Sequence, residues 1–172
     1  MKKVYYAMVF SIPFFLMACT NSASNTTADN SDSTQSDILA KNRSIYTAIE
    51  TGDTARINSL IASDAVDHEG PKGQDIKGRD SISHMLADMH NHMKDMKFEV
   101  LADAVKGDYV FAMVKMTGTT TDSSFGMPAG TKMDGKSVDV VKVSNGKMVE
   151  HWGFFDPNDM MKQMQAMQGN KK

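Results

Sequence analysis

The sequence predicts an α+β domain with one core, its helices first and an antiparallel sheet after them. Three observations carry the prediction. Apolar residues recur at helical spacing through the first half of the chain. From about residue 96 the period changes to two. Turn signals then cut the alternating half into four long strands, and one more helical segment follows the last. At 172 residues the chain has room for one such domain.

In "SDILAKNRSIYTAIETGD", Ile38, Leu39, Asn42, Ile45, Tyr46 and Ile49 share a helix face. Ser36 or Asp37 can cap its start, and Gly52 stops it. Asp53 can cap a second, short helix carrying Ile57, Leu60 and Ile61. "AVDHEG" reads as a short extended piece. From Arg79 to Asp95, the residues Ile82, Met85, Leu86, Met89 and Met93 mark a third helix. The four strands are "MKFEVLADAV", "YVFAMVKMTGTT", "KSVDVVKVS" and "KMVEHWGFFD". Tight turns at "KGD" and "SNGK" join them, the second with an Asn-Gly hairpin signal. "TDSSFGMPAGTKMDG" is a loop between the second and third strands. A last helix follows Pro157, with Met160, Met161, Met164 and Met167 along one side.

Ahead of the domain, Lys2 and Lys3 precede a mostly apolar run from Val4 to Ala18 that is too short to span a bilayer as a helix. It ends in "LMAC", which resembles a bacterial lipobox. Residues 1–18 are therefore expected to be a lipoprotein signal peptide, and Cys19, the only cysteine, the lipidated new N-terminus. Residues 19–36 contain "TNSASNTTADNSDSTQ", which has no large apolar residue and reads as a flexible tether. The domain is expected over 37–170. Loss of the signal leaves seventeen basic against twenty-one acidic side chains. That balance offers no basic patch for nucleic acid and favours a small-molecule or protein partner. The expected location is the bacterial cell envelope, with the acyl chain as the membrane anchor.

Four pieces, in this order, resemble the SnoaL-like group of the NTF2-like superfamily: "VDHEG" at 66–70, "KGRDSI" at 77–82, "TGTTTDSSFGMPAGTK" at 117–132 and "NGKMVEHWGFFD" at 145–156. The resemblance covers about residues 38 to 168. It implies a cone in which a bent sheet wraps the first helix and encloses a pocket. It also implies a range of activities, from ester cyclases that close polyketide rings by an aldol step to hydrolases, isomerases and domains without known chemistry. Two positions depart from the group's pattern. Thr120 stands where a histidine is common, and "PAGTK" replaces "PPTGK".

Enolisation next to a carbonyl needs a base near the carbon and a donor for the oxygen. Asp156 is the first candidate base. Glu150, Trp152, Phe154 and Asp156 share strand parity, so an inward face would make Trp152 and Phe154 pocket wall. His151 would then point away unless a bulge at Gly153 re-aims it. "DPND" equally makes Asp156 the N-cap of the last helix, with Pro157 at the first helical position. His68 is the second candidate, as an acid or as an orienting group, with Asp67 and Glu69 expected solvated beside it. Tyr46 can add a hydroxyl from the first helix. His84, Asp88 and His92 fall at i, i+4 and i+8 and can hold copper or zinc on one helix face. The neighbouring methionines read as core filler.

These residues frame three expectations. The leading one is an exported, lipid-anchored binding protein that takes a small, mainly apolar molecule in its cone, with no cofactor and with a homodimer contact on its outer face. The second is a cyclase- or isomerase-type enzyme using Asp156 and His68. The third is an envelope metal-binding protein.

Overall fold

The computed structural model describes residues 28–70, 73–124 and 126–169. The described chain runs α1 (Ala28–Thr51), α2 (Thr54–Leu60), β1 (Ile61–Asp67), β2 (Ile76–Lys77), α3 (Arg79–His92), β3 (Met93–Lys106), β4 (Tyr109–Thr120), β5 (Lys132–Ser144), β6 (Lys147–Phe155) and α4 (Pro157–Gly169). The strands form one curled, unclosed sheet in the order β2-β1-β6-β5-β4-β3. β1 runs parallel to β6, and every other neighbouring pair is antiparallel. This is the expected α+β cone. No described helix is long and apolar enough to cross a membrane.

Several boundaries differ from the sequence reading, each for a physical reason. α1 begins at Ala28, upstream of the expected Ser36 or Asp37. Once a helix is nucleated, each added residue gains a hydrogen bond without a new nucleation cost, so polar residues can extend it. The rest of the expected tether, Cys19 and the apolar run lie outside the described residues. α3 ends at His92 rather than Asp95, because Met93 and Lys94 pair with Thr120 and Thr119 as the start of β3. The helix-terminal carbonyl of His92 accepts the Thr121 N–H at 3.0 Å. β5 starts at Lys132, so that Lys132–Gly135 pair with Met116–Thr119, although Asp134 and Gly135 are poor strand formers. The two-residue β2 was not expected. Asn145 and Gly146 both take positive φ, 51° and 71°, as a type I′ hairpin turn requires.

The core gathers Ala48 and Ile49 of α1 with Ile57, Ile61, Ala65, Ile82, Val110 and Met148. Met93 and Met96 both join it, although an odd number of residues separates equivalent strand faces. A register shift between Lys94 and Lys97, with Asp95 at φ 53°, turns the second methionine inward. Glu50 of α1 reaches this bulge, accepting the Phe98 N–H at 2.6 Å and the Lys97 ammonium at 3.0 Å. Arg43 forks onto Asp103 with two 2.6 Å contacts. These two anchors lay α1 across β3 and turn Tyr46 toward the inside of the sheet.

Candidate functional site

Between α1, α3 and the concave side of the sheet lies a cavity of about 250 Å³. Its walls are apolar: Ile45 and Ile49 from α1, Leu86 and Met89 from α3, and Phe98, Met116, Met133 and Val141 from the strands. Phe155, Asp156, Asp159 and Met160 also border it, with Phe155 and Met160 themselves exposed. Set into these walls is one cluster of polar side chains.

That cluster follows from the parallel pairing of β1 with β6, which places Asp67 directly beside His151. His151 Nδ1 lies 3.0 Å from Asp67 Oδ2 and 3.9 Å from Glu69 Oε2. Asp67 is 1% exposed, and its other oxygen accepts the Glu69 N–H at 2.8 Å, a local turn that brings Glu69 back over the strand. Glu69 needs room above β6, and Gly153 supplies it. A Cβ at Gly153 would lie 1.8 Å from Glu69 Oε1. Beside this trio Asp139 of β5 accepts the Tyr46 hydroxyl at 2.8 Å and the Ser137 hydroxyl at 2.8 Å.

The surroundings set the protonation of each group. Burial opposes a charged His151, but its hydrogen bond to Asp67 and the charges of Asp67, Asp139 and Glu69 outweigh burial and raise its pKa. Burial also raises the Glu69 pKa, and the charges of Asp139 and Asp67 add to it against His151 and the Gly153 N–H. Burial, then the Asp139 charge and hydrogen bond, raise the Tyr46 phenol strongly, so it stays a donor. The cavity therefore holds an imidazole drawn toward its cation, a carboxyl whose ionisation burial opposes, and a phenol O–H that stays protonated. Such a set can take up a proton at one atom and hold a developing oxyanion at another.

Residues 40–164 match the family of SnoaL-like polyketide cyclases. The chain belongs to that family. Solved structures with the same fold include TsrD from Streptomyces laurentii, at a TM-score of 0.66 and 17% identity over 76% of this chain and 96% of TsrD. An LEH-like epoxide hydrolase from M. tuberculosis superposes at 0.63 and 14% identity, over 78% of this chain and 94% of its own. IdmH from Streptomyces antibioticus, a candidate polyketide cyclase, superposes at 0.60 with 27% identity, over 76% and 97%. No curated protein matches the sequence.

In this SnoaL-like chain the expected site residues fall in different places. Tyr46 lines the cavity. Glu150, Trp152 and Phe154 lie on the other face of β6. Glu150 pairs with Lys142 at 2.8 Å, Trp152 stacks on the His68 ring at 4.8 Å, and Phe154 is 60% exposed. The cause is one extra residue. Lys142 pairs with Glu150 and Val143 with Met148, which leaves Val149 bulged. The bulge reverses the strand's parity, so Met148 and His151 both border the cavity. The re-aiming occurs at Val149 and not at Gly153.

His68 is likewise outside the cavity lining, with Nδ1 on Asp75 at 3.0 Å and Nε2 3.6 Å from Glu150. Asp67 and Glu69, expected in solvent, are the residues that turn inward. Asp156 borders the cavity, but one oxygen accepts the Asn158 N–H at 2.9 Å as the cap of α4, and the other faces Lys136 at 3.9 Å. His92 holds Asp122 through Nδ1 and Asp88 through Nε2, while His84 is exposed. Thr120 does not line the cavity. Its buried hydroxyl donates to Pro128 O at 2.7 Å and accepts the Thr131 N–H at 3.0 Å, stapling the loop that follows β4.

His151, Asp67, Glu69 and Asp139 were not chosen from the sequence as site residues, although two signals were present. Asp67 and Glu69 share period-two parity opposite to His68, and Gly153 sits unexplained within a strand.

Proposed function

We propose that this protein binds a small, mainly apolar carbonyl compound in the cavity and moves a proton on the carbon next to that carbonyl. The observation that carries the reading is the buried His151–Asp67 pair, with Glu69 beside it, in a largely apolar chamber. With Nδ1–H donated to Asp67, the imidazole keeps its lone pair on Nε2 as the base. Burial enlarges the protonated fraction of Glu69, and that form donates to the carbonyl oxygen as charge gathers there and returns to rest when His151 gives the proton back. Asp156 keeps its place as the cap of α4 in this scheme. Membership of a cyclase family supports the reaction type, and the apolar walls support the ligand class.

The test is deuterium incorporation from D2O into a panel of β-keto esters and 1,3-diketones, followed by proton NMR. The wild-type protein accelerates incorporation into at least one compound, and His151→Gln abolishes the acceleration. The rate follows a bell, rising with pH as His151 loses its proton and falling as Glu69 loses its own. No acceleration across the panel, or full activity in His151→Gln, would refute the proposal.

The same reading keeps the protein in the cell envelope, acylated at Cys19, on the strength of "LMAC" after a basic and apolar leader. Cys19→Ser should release it from membranes and change its processing, and an unchanged membrane-bound band would remove the anchor. Self-association is proposed through the outer sheet face. There Met113, Val138 and Phe154 lie side by side across β4, β5 and β6, with Met113 and Phe154 exposed. Sedimentation should show Phe154→Asp shifting the protein toward monomer.

A further inference from the structure

The base of the cavity gathers three carboxyl groups, Asp67, Glu69 and Asp139, around one imidazole. Asp67 and Glu69 share a single imidazole. Asp139 acts on the same pair through its charge, and among the described residues its oxygens accept the hydroxyls of Tyr46 and Ser137. Among the described residues, no lysine or arginine forms an ion pair with any of the three. Buried carboxylates in excess of their counter-charges are costly, and a bound cation removes that cost.

The geometry suits a metal ion specifically. One ligand atom from each of Asp67, Glu69 and His151 lies within 4.8 Å of the other two, the one such grouping found among the described residues. The carboxylates are also aimed by the backbone. Asp67 accepts the Glu69 N–H at 2.8 Å, and the Glu69 carboxyl lies over Gly153 of β6. Ligands held from behind in this way are preorganised for a metal. The three heavy atoms nearest to a Cβ at Gly153 all belong to the Glu69 carboxyl group. The helical row His84, Asp88 and His92 has no comparable convergence. Both His92 nitrogens already face carboxylates, of which Asp122 comes from another element.

We propose that Asp67, Glu69 and His151 form a binding site for a first-row divalent cation, with zinc the best-suited ion. One imidazole and two carboxylates are donors that zinc accepts, and three protein ligands leave a position open toward the cavity. The ion takes the place of the proton on His151 Nδ1, so its uptake releases a proton. The site shares residues with the proton-transfer reading but stands on ligand geometry and charge alone.

Calorimetry of the untagged protein with Zn(II) should read one site per chain. Glu69→Gln and His151→Gln should each weaken it by roughly tenfold or more. His84→Ala and His92→Ala should leave it within about twofold. Absence of binding in the wild-type protein, or an affinity unchanged in both cavity variants, overturns the proposal. X-ray absorption on the zinc-loaded wild-type protein needs no variant. One imidazole among oxygen donors is expected, and two imidazoles or a sulfur ligand would overturn it. Zinc binding without proton exchange sustains this site and removes the proposed reaction, whereas exchange without zinc binding does the reverse.

Discussion

Replacing Gly153 with alanine separates the architecture of the site from the architecture of the fold. The added Cβ would stand 1.8 Å from Glu69 Oε1, 2.2 Å from its Cδ and 2.4 Å from Oε2. Ordinary contact begins near 3.4 Å, so the carboxylate must retreat by roughly 1.5 Å. It can do so, because it is the free end of a flexible side chain. The retreat draws it off the Gly153 backbone and lengthens a 3.9 Å approach to His151. Loss of that approach costs about 1 kcal/mol or less, since the freed carboxyl regains water. Alanine in a strand recovers about 0.5–1 kcal/mol that glycine gives up in backbone entropy.

The two nearly cancel, so Gly153→Ala should unfold within a few degrees of the wild type. Deuterium incorporation should nevertheless fall by roughly tenfold or more, because the oxygen-side donor is displaced. Differential scanning calorimetry and the exchange assay on the same sample decide the matter. A variant that keeps full activity would refute the assignment of Glu69, and one that fails to fold would refute the claim that the flexible Glu69 side chain can make room.

Three further outcomes follow from the same contacts. Tyr46→Phe leaves Asp139 with the Ser137 hydroxyl alone, and should lower stability in urea by about 1–2 kcal/mol while the cavity stays intact. Asp156→Ala removes the cap of α4 at a cost of about 1 kcal/mol, read as faster amide exchange in the first turn, with proton-transfer activity retained. Loss of activity with α4 intact would return Asp156 to the role of base. The His92–Asp122 contact should hold the start of the loop after β4 only within a pH window. Hydrogen bonds from the Ser124 hydroxyl and N–H, then from His92, lower the Asp122 pKa to about 2. Asp122, through its hydrogen bond first, raises that of His92 despite some desolvation. A raised histidine stabilises below its unfolded pKa, and that stability is lost as pH rises through the folded value. The Thr121 and Ser124 amides should therefore exchange more readily above the shifted His92 pKa, and again near pH 2. Exchange that is flat across the upper limit would remove the clamp.

Several features were legible in the sequence because they depend on short stretches of chain. The change of period near residue 96, the Asn145–Gly146 turn, the Asp53 and Asp156 caps and Tyr46 on the inner face of α1 all follow from local chemistry. The order of motifs was enough to place the chain among SnoaL-like domains. Element ends were less legible. Strand pairing draws Met93 and Lys132–Gly135 into the sheet against their local preferences.

Which side chains meet inside the cavity was decided by tertiary structure alone. A strand's two faces are equivalent until something marks one as buried, and a single extra residue exchanges them. The unpaired Val149 makes that exchange, turning His151 inward and Glu150, Trp152 and Phe154 outward. The partners of His151 come from β1, more than eighty residues earlier, through a parallel pairing that no local pattern announces. Local sequence specified the parts and their periods, but the charge balance of the site exists only where β1, β5 and β6 are brought together around α1.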